Sequence, residues 1–191
     1  RLIQRDYKNK KNKEEYYSEM GNDEEVEGDN INHTAEQDSV KPEYKTGKGR
    51  IVYGGGGITP DYIVKSDLVT TYTQNLLRKN IFYTFILSYL DKNSEAIRQK
   101  YGEDLSNFKN DYKITDDMMK SFIEFAASKE VVFNDEDYKK DKDYIAARLK
   151  AQIARNYWKN EGWYSILLTS DDQLNKALTL FNEAKDLAKL K

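Results

Sequence analysis

The sequence predicts an α+β fold that is mostly helical, and three observations support this prediction. From Ser66 onward, apolar residues recur at the spacing of one helix face. Before that point, the apolar residues form a few short runs that are typical of strands. A polar insertion at about residues 8–45 shows little apolar periodicity. We therefore expect residues 1–65 to hold a few strands and this insertion, and residues 66–191 to form a helical C-terminal domain.

Three short runs are the expected strands, and they lie at Leu2–Tyr7, Arg50–Tyr53 and Tyr62–Val64. The last two flank a run of four glycines, so we expect a glycine-centred hairpin. A sheet this small does not bury a hydrophobic face by itself. We therefore expect these strands to complete a sheet whose other strands are absent from this chain.

The glycine run is the motif with the most unusual composition in the sequence. It comprises four consecutive glycines and a rigid exit, namely Gly54, Gly55, Gly56, Gly57, Pro60 and Asp61. A phosphate-binding loop needs glycines that open a helix, because the backbone N–H groups must face the anion. Here no Lys-Ser/Thr pair follows, no helix is expected next, and Pro60 lacks an N–H donor. We therefore interpret the run as a turn in which glycine allows backbones to pack closely.

Six helices are expected after the glycine motif, each from an apolar stripe or a cap. The stripes are Leu68, Tyr72 and Leu76; Phe82, Phe85, Ile86, Tyr89 and Leu90; Met118, Met119, Phe122, Ile123 and Ala126; Ile145, Leu149 and Ile153; and Leu174, Ala177, Leu178, Phe181, Ala184 and Ala188. The remaining helix, the third in chain order, is expected at Ser94–Tyr101, ending at Gly102. Expected N-caps are Ser66, Ser94, Thr115 and Ser170, the last with Gln173 in a capping box. The helix that contains Ile145 is expected to end near Gly162.

Composition excludes several classes of site and partner. The formal net charge is −2, which gives no basic footprint for a nucleic acid. The chain contains no cysteine and a single histidine, His33, so disulfides, thiolate catalysis and multi-histidine metal sites are excluded within it. No segment approaches the roughly 18 apolar residues that span a membrane. We predict no cofactor and no metal site.

No catalytic residue is predicted in this chain. Ser106 and Lys109 match S-x-x-K, and residues 45–47 spell K-T-G, but the order is wrong and S-D-N is absent. No serine lies in a G-x-S-x-G elbow. His33 lies in the polar insertion, so we expect it to be solvated.

The acidic pairs and clusters are interpreted as helix starts or solvated loops. Asp116-Asp117 and Asp171-Asp172 fall in first helical turns, where negative charge offsets the helix dipole. The cluster at residues 134–143 lacks the glycine of a calcium loop and is expected to be a solvated helix start. The acids in residues 23–29 are compatible with a loosely held cation, but a solvated loop is the default expectation.

An aromatic cluster lies near the expected end of the fifth helix and consists of Tyr157, Trp158, Trp163 and Tyr164. Such a cluster is either a ledge that binds a peptide or a packing joint between two helices. We favour the packing joint, centred on Gly162.

Two stretches taken together resemble a known family. The sequence begins "RLIQRDY" and continues, after the polar insertion, with "TGKGRIVYGGGGITPDYIV". This pattern resembles the carboxyl-terminal processing (tail-specific) serine peptidases, in which a GR-x-IQ strand follows the catalytic segment and a GGGGI-x-PD motif closes the protease domain. The first motif here starts at its arginine. The stretches "YKITDDMMKSFIEFA" and "LKAQIARNYW…DDQLNKAL" are similar to the helical C-terminal region of the same branch.

The resemblance implies a Ser-Lys dyad and a PDZ domain, both placed upstream of Arg1. No serine or lysine of this chain matches the family's catalytic motifs, so no catalytic role is assigned. The chain is then expected to be the C-terminal piece of a tail-specific serine endopeptidase, inactive alone. Its expected partners are the rest of the protease chain, protein or peptide substrates and a second copy in a homodimer. The expected location is the periplasm or cell envelope of a Gram-negative bacterium.

A second hypothesis belongs to another functional class. The helices form a non-catalytic protein-interaction module, and the Tyr/Trp cluster is its contact surface. A serine and a lysine in the family's arrangement upstream of Arg1 favour the protease, and their absence favours the module.

Overall fold

The computed structural model describes residues 28–29, 42–49, 51–54, 60–65 and 68–188. The fold of these residues is α+β and mostly α, as the sequence predicts. Their contacts divide them into two compact units. The described residues before position 66 belong to the first unit together with those from Lys176 onward, and the residues from position 68 to Asn175 form the second, helical unit.

Four short strands and seven helices are described. The strands are β1 (Gly28–Asp29), β2 (Glu43–Lys45), β3 (Ile51–Tyr53) and β4 (Tyr62–Ile63). The helices are α1 (Thr71–Arg78), α2 (Ile81–Tyr101), α3 (Leu105–Asp111), α4 (Asp116–Ser128), α5 (Asp135–Leu167), α6 (Asp172–Thr179) and α7 (Phe181–Leu187), with a 3₁₀ turn at Leu168–Ser170.

The strands form two separate antiparallel pairs, β1 with β4 and β2 with β3. Gly28 lies opposite Ile63 in the first pair, and Lys45 lies opposite Ile51 in the second. The prediction of a glycine-centred hairpin between β3 and β4 is therefore wrong, although both strands exist. The hairpin that forms instead joins β2 to β3. In its turn, the N–H of Gly49 donates to the carbonyl of Thr46 at 2.9 Å, and Gly49 has a φ of +83°. The expected strand at Leu2–Tyr7 lies outside the described residues.

The second unit is built around an apolar core contributed by α1 to α5. The predicted stripes of α2, α4 and α5 are confirmed, since Phe85, Phe122 and Leu149 are all buried. The Phe122 ring lies 5.1 Å from that of Phe82 and 5.2 Å from that of Phe85, centroid to centroid. Such aromatic pairs add stabilisation beyond the area that they bury.

Helix α1 begins later than the sequence predicts. Leu68 is 87% exposed and precedes the helix, whereas Tyr72 and Leu76 are buried within it. Thr70 is the N-cap, and its hydroxyl accepts from the backbone N–H of Thr73 at 3.5 Å. The predicted cap at Ser66 lies outside the described residues.

Helix α2 is continuous where the sequence predicted a break between two helices. Asn93 and Ser94 lie inside one continuous helix, whose end at Gly102 confirms the predicted terminus. Helix α3 was not predicted, because its seven residues contain only two apolar side chains, Leu105 and Phe108, and are too few for a repeating stripe. Phe108 is fully buried and its ring lies 5.0 Å from that of Trp158.

Helix α5 was expected to end near Gly162. It is instead kinked before that residue and ends at Leu167. Trp158 and Lys159 depart from helical geometry, with Lys159 at φ of 53°. The chain after the kink packs closely on the part of the helix before it. A Cβ added to Gly162 would lie only 2.5 Å from the carbonyl oxygen of Ala154.

The predicted last helix is two helices, α6 and α7, separated at Leu180. Asp171 caps α6 by accepting from the N–H of Leu174 at 2.8 Å, whereas Ser170 donates to the carbonyl of Leu167. The predicted capping box at Ser170 is therefore wrong. The expected common stripe is also broken, since Phe181 is 69% exposed.

Candidate functional site

The glycine motif is described at its ends. Gly54 is buried, and its N–H donates to the carbonyl of Pro42 at 3.0 Å. Pro60 is exposed and Asp61 is half-buried in a bend. Gly55, Gly56 and Gly57 lie outside the described residues, so the interpretation of the run as a turn stays a prediction.

The residues that match S-x-x-K and K-T-G lie on the surface. Ser106 and Lys109 lie exposed on α3, and the carbonyl of Lys109 accepts from Lys150 Nζ at 2.8 Å. Residues 45–47 are exposed in the β2–β3 hairpin. His33 lies outside the described residues. Where the structure describes the chain, no three acidic or histidine side chains cluster as metal ligands.

Most of the acidic positions start helices, as predicted. Asp116 and Asp117 occupy the first turn of α4, which Thr115 caps. Asn134 caps α5, whose first turn carries three acids. Asp141 departs from the prediction of a solvated start, since it is 7% exposed.

Asp141 and Asp137 hold the N-terminus of α1. Asp141 accepts from the N–H of Thr70 at 2.8 Å and from its hydroxyl at 2.7 Å. Asp137 accepts from the N–H of Tyr72 at 3.0 Å. Burial disfavours the charged carboxylate of Asp141, but hydrogen bonding, chiefly from Thr70, and the nearby charge of Lys140 together outweigh it and lower its pKa. We call these four residues the α1 clasp, and its role is structural.

The aromatic cluster is mainly a packing joint, which confirms the favoured interpretation for two of its members. Tyr157 donates its hydroxyl to the carbonyl of Ser94 at 2.8 Å. Trp158 donates its indole N–H to the carbonyl of Glu103 at 3.0 Å and packs against the core. Tyr164 differs, because it is 56% exposed.

Trp163 has a different role from its neighbours in the cluster. The kink in α5 returns its indole ring to the helix before the kink. There the guanidinium carbon of Arg148 lies 5.2 Å from a ring centroid of Trp163, and that of Arg155 lies 5.4 Å away. One partly buried indole thus contacts two cations, an arrangement stabilised by cation–π attraction.

Neither arginine is neutralised by a carboxylate of the described residues. Arg148 Nη1 donates to the hydroxyl of Tyr144 at 3.1 Å, and its guanidinium also lies over the Phe82 ring at 5.9 Å. The guanidinium of Arg155 makes no hydrogen bond and no ion pair with any described residue. Since each guanidinium carries five N–H donors, most of these donors remain available to a ligand.

Arg148 and Arg155 line a surface groove between α2 and α5. A cavity of about 340 Å³ is lined by Leu77, Asn80, Phe82, Tyr83, Arg148, Gln152, Arg155 and Trp163. A second cavity of about 310 Å³ shares Tyr83, Gln152 and Arg155 and extends to Leu87. We call these two cavities together the cationic groove. Tyr83 and Leu87 are each 44% exposed and supply apolar surface beside the cations.

The cationic groove was not predicted from the sequence, although Trp163 was named as part of the aromatic cluster. Arg148, Gln152 and Arg155 are spaced at four and three residues, which places them on one face of α5. That spacing was visible in the sequence. The return of Trp163 onto this face was not, because it depends on the kink at Trp158 and Lys159.

Comparisons with known proteins add one match. A family of unknown function (DUF8443) matches residues 72–159, which run from α1 to the kink in α5. No curated protein and no solved structure matches the chain. Among the described helices, none combines the length and apolar character needed to cross a membrane.

Proposed function

We propose that this chain is the C-terminal part of a tail-specific serine endopeptidase and has no peptidase activity alone. The observation that carries the proposal is the sequence "GRIVYGGGGITPDYIV" at residues 49–64, together with "RLIQRDY" at the start of the chain. The chain would complete the core sheet of the protease and add a helical domain to it. Its partners would be the catalytic core, the PDZ domain and, through them, protein or peptide substrates in the periplasm.

The arrangement of the strands is compatible with this role. Strands β3 and β4 border the glycine motif, and each pairs with one other strand among the described residues. Isolated two-stranded sheets are marginally stable in water, so further strands would stabilise them. The proposal holds that the rest of the protease provides those strands.

The experiment compares the 191-residue chain with the protein encoded by its whole reading frame. Both are incubated with an unstructured peptide that ends in apolar residues, and the products are identified by mass spectrometry. We expect cleavage by the whole protein and none by the chain. Substitution of the serine that the upstream sequence places in the family's dyad should abolish cleavage. Cleavage by the chain alone, or an upstream sequence without such a serine and lysine, contradicts the proposal.

A second candidate function is a non-catalytic protein-interaction module. The observation that favours it is the cationic groove, in which Arg148 and Arg155 have no carboxylate partner among the described residues and lie beside exposed apolar surface. The two functions are compatible, since a helical domain of a protease also binds proteins. The module is tested by binding to the chain alone, where no peptidase is present.

A further inference from the structure

We propose that the cationic groove binds an acidic side chain of a protein partner, carried on a segment with apolar residues on both sides of the acid. The two arginines indicate the charge of the ligand, the apolar walls indicate its flanking residues, and the extent of the groove indicates that the acid is internal. It rests on the proposal that the helical unit is an interaction module and not on the assignment to a protease.

The charge of the ligand follows from the arginines. Arg148 and Arg155 are seven residues apart on α5, hence about two helical turns or roughly 10 Å along its axis. Both contact Trp163 and both line the first cavity. Two guanidinium groups without carboxylate partners among the described residues attract an anion, and their planar donors match the two oxygens of a carboxylate.

The apolar flanks follow from the walls of the groove. Leu77 and Trp163, which are partly buried, border the first cavity, and Leu87, which is 44% exposed, borders the second. A segment seated there would bury apolar side chains in both directions from the acid. A free inorganic anion would leave these walls uncovered, so the geometry favours a peptide over a small ion.

The acid is expected inside the segment and not at its end. The two cavities share Tyr83, Gln152 and Arg155, which places Arg155 near the middle of the groove. A segment held there continues on both sides of the contact. Gln152 lies between the two arginines in sequence and offers an amide that binds the backbone of an extended segment.

The probe is a library of short peptides, N-acetylated, C-amidated and labelled on a side chain with an uncharged BODIPY fluorophore. Each member carries a central glutamate flanked by varied apolar residues, and each has a counterpart with glutamine in its place. Binding to the full 191-residue chain is measured by fluorescence anisotropy. We expect the best glutamate peptides to bind about tenfold more tightly than their glutamine counterparts, the effect of losing one charge-assisted contact.

The variant is Arg155→Gln, because Arg155 is exposed and its guanidinium forms no hydrogen bond within the described fold. We expect this variant to erase the preference for glutamate over glutamine. The matched control is Arg98→Gln, which removes the same charge from an exposed arginine on α2 outside the groove. The control should retain the preference within about twofold. Thermal unfolding of both variants verifies that they are folded.

Several outcomes overturn the inference. Equal binding of glutamate and glutamine peptides does so and leaves the module proposal standing. No binding by any member also overturns the inference about the groove. Equal weakening by the two variants indicates non-specific attraction. Two further arms test other anions: a peptide whose sole carboxylate is its C-terminus, and inorganic phosphate as a competitor. Tighter binding of the former, or displacement by millimolar phosphate, also contradicts an internal acidic side chain.

Discussion

The hydroxyl group of Tyr72 is buried without a hydrogen-bond partner among the described residues. Tyr72 is 2% exposed, and its ring packs edge-on against Phe133 at 5.6 Å. Burial raises the pKa of this hydroxyl to about 12. A buried polar group that makes no hydrogen bond loses its hydration without compensation.

Removal of this hydroxyl should therefore stabilise the protein. We expect Tyr72→Phe to raise the free energy of unfolding by about 1 kcal/mol. Tyr157→Phe is the matched control and should lower it by a similar amount, because the Tyr157 hydroxyl donates to the Ser94 carbonyl at 2.8 Å. Urea unfolding followed by circular dichroism measures both. A loss of stability in Tyr72→Phe would mean that its hydroxyl has a partner.

The buried carboxylate of Asp141 should stabilise the fold in a pH-dependent way. We expect Asp141→Asn to lower the free energy of unfolding at pH 7 by about 1–3 kcal/mol, since it weakens two hydrogen bonds to a charged acceptor. Asp143→Asn, an exposed change two residues away, should have little effect.

The sign of the pH dependence follows from the lowered pKa of Asp141 in the folded state. Its contribution is fully present above the ordinary pKa of about 3.8 and is lost as the pH falls through the lower folded value. The stability difference between the protein and Asp141→Asn should therefore shrink below about pH 4. Urea unfolding at a series of pH values tests this, and a difference that grows on acidification would be incompatible with it.

At the scale of elements, the kink in α5 depends on a glycine. Gly162 packs so closely on the preceding part of the helix that an added Cβ would lie 2.8 Å from the carbonyl carbon of Ala154 and 2.5 Å from its oxygen. Both are backbone atoms, so relief requires that the two parts of α5 move apart. This movement would also displace Trp163 from Arg148 and Arg155.

Gly162→Ala should therefore destabilise the helical unit, although alanine has the higher helix propensity. We expect a loss of about 1–3 kcal/mol, the usual cost of overpacking. Gly47→Ala is the control, because a Cβ at Gly47 would meet no described atom within 4 Å and the φ of Gly47 is not positive. Thermal unfolding compares the two variants. An unchanged or higher unfolding temperature for Gly162→Ala would show that the two parts of α5 separate easily.

The α1 clasp shows how an element's boundary is set by distant residues. Thr70 and Asp141 are 71 positions apart in sequence, yet their hydrogen bonds fix where α1 begins. The local pattern instead favoured an earlier start that included Leu68. That residue is exposed, so the four-residue spacing from Leu68 to Tyr72 was accidental.

At the scale of the whole molecule, periodicity predicted the helical class and most of the core. The stripes with Phe85, Phe122 and Leu149 are buried as expected. The predictions that were wrong concern which strands pair and how helices pack, and neither is set by local sequence. Strands β3 and β4 pair with other strands, and α6 and α7 separate at Leu180.

Local sequence was enough to predict the mostly helical α+β class, the cap at Thr115 and the end of α2 at Gly102, because these depend on neighbours within a few residues. The glycine motif on which the protease proposal rests is likewise a feature of the sequence. The burial of Asp141, the return of Trp163 and hence the cationic groove arise only in the folded chain. Each of these joins segments that are far apart or separated by a kink, and local periodicity holds no information about which distant side chains meet.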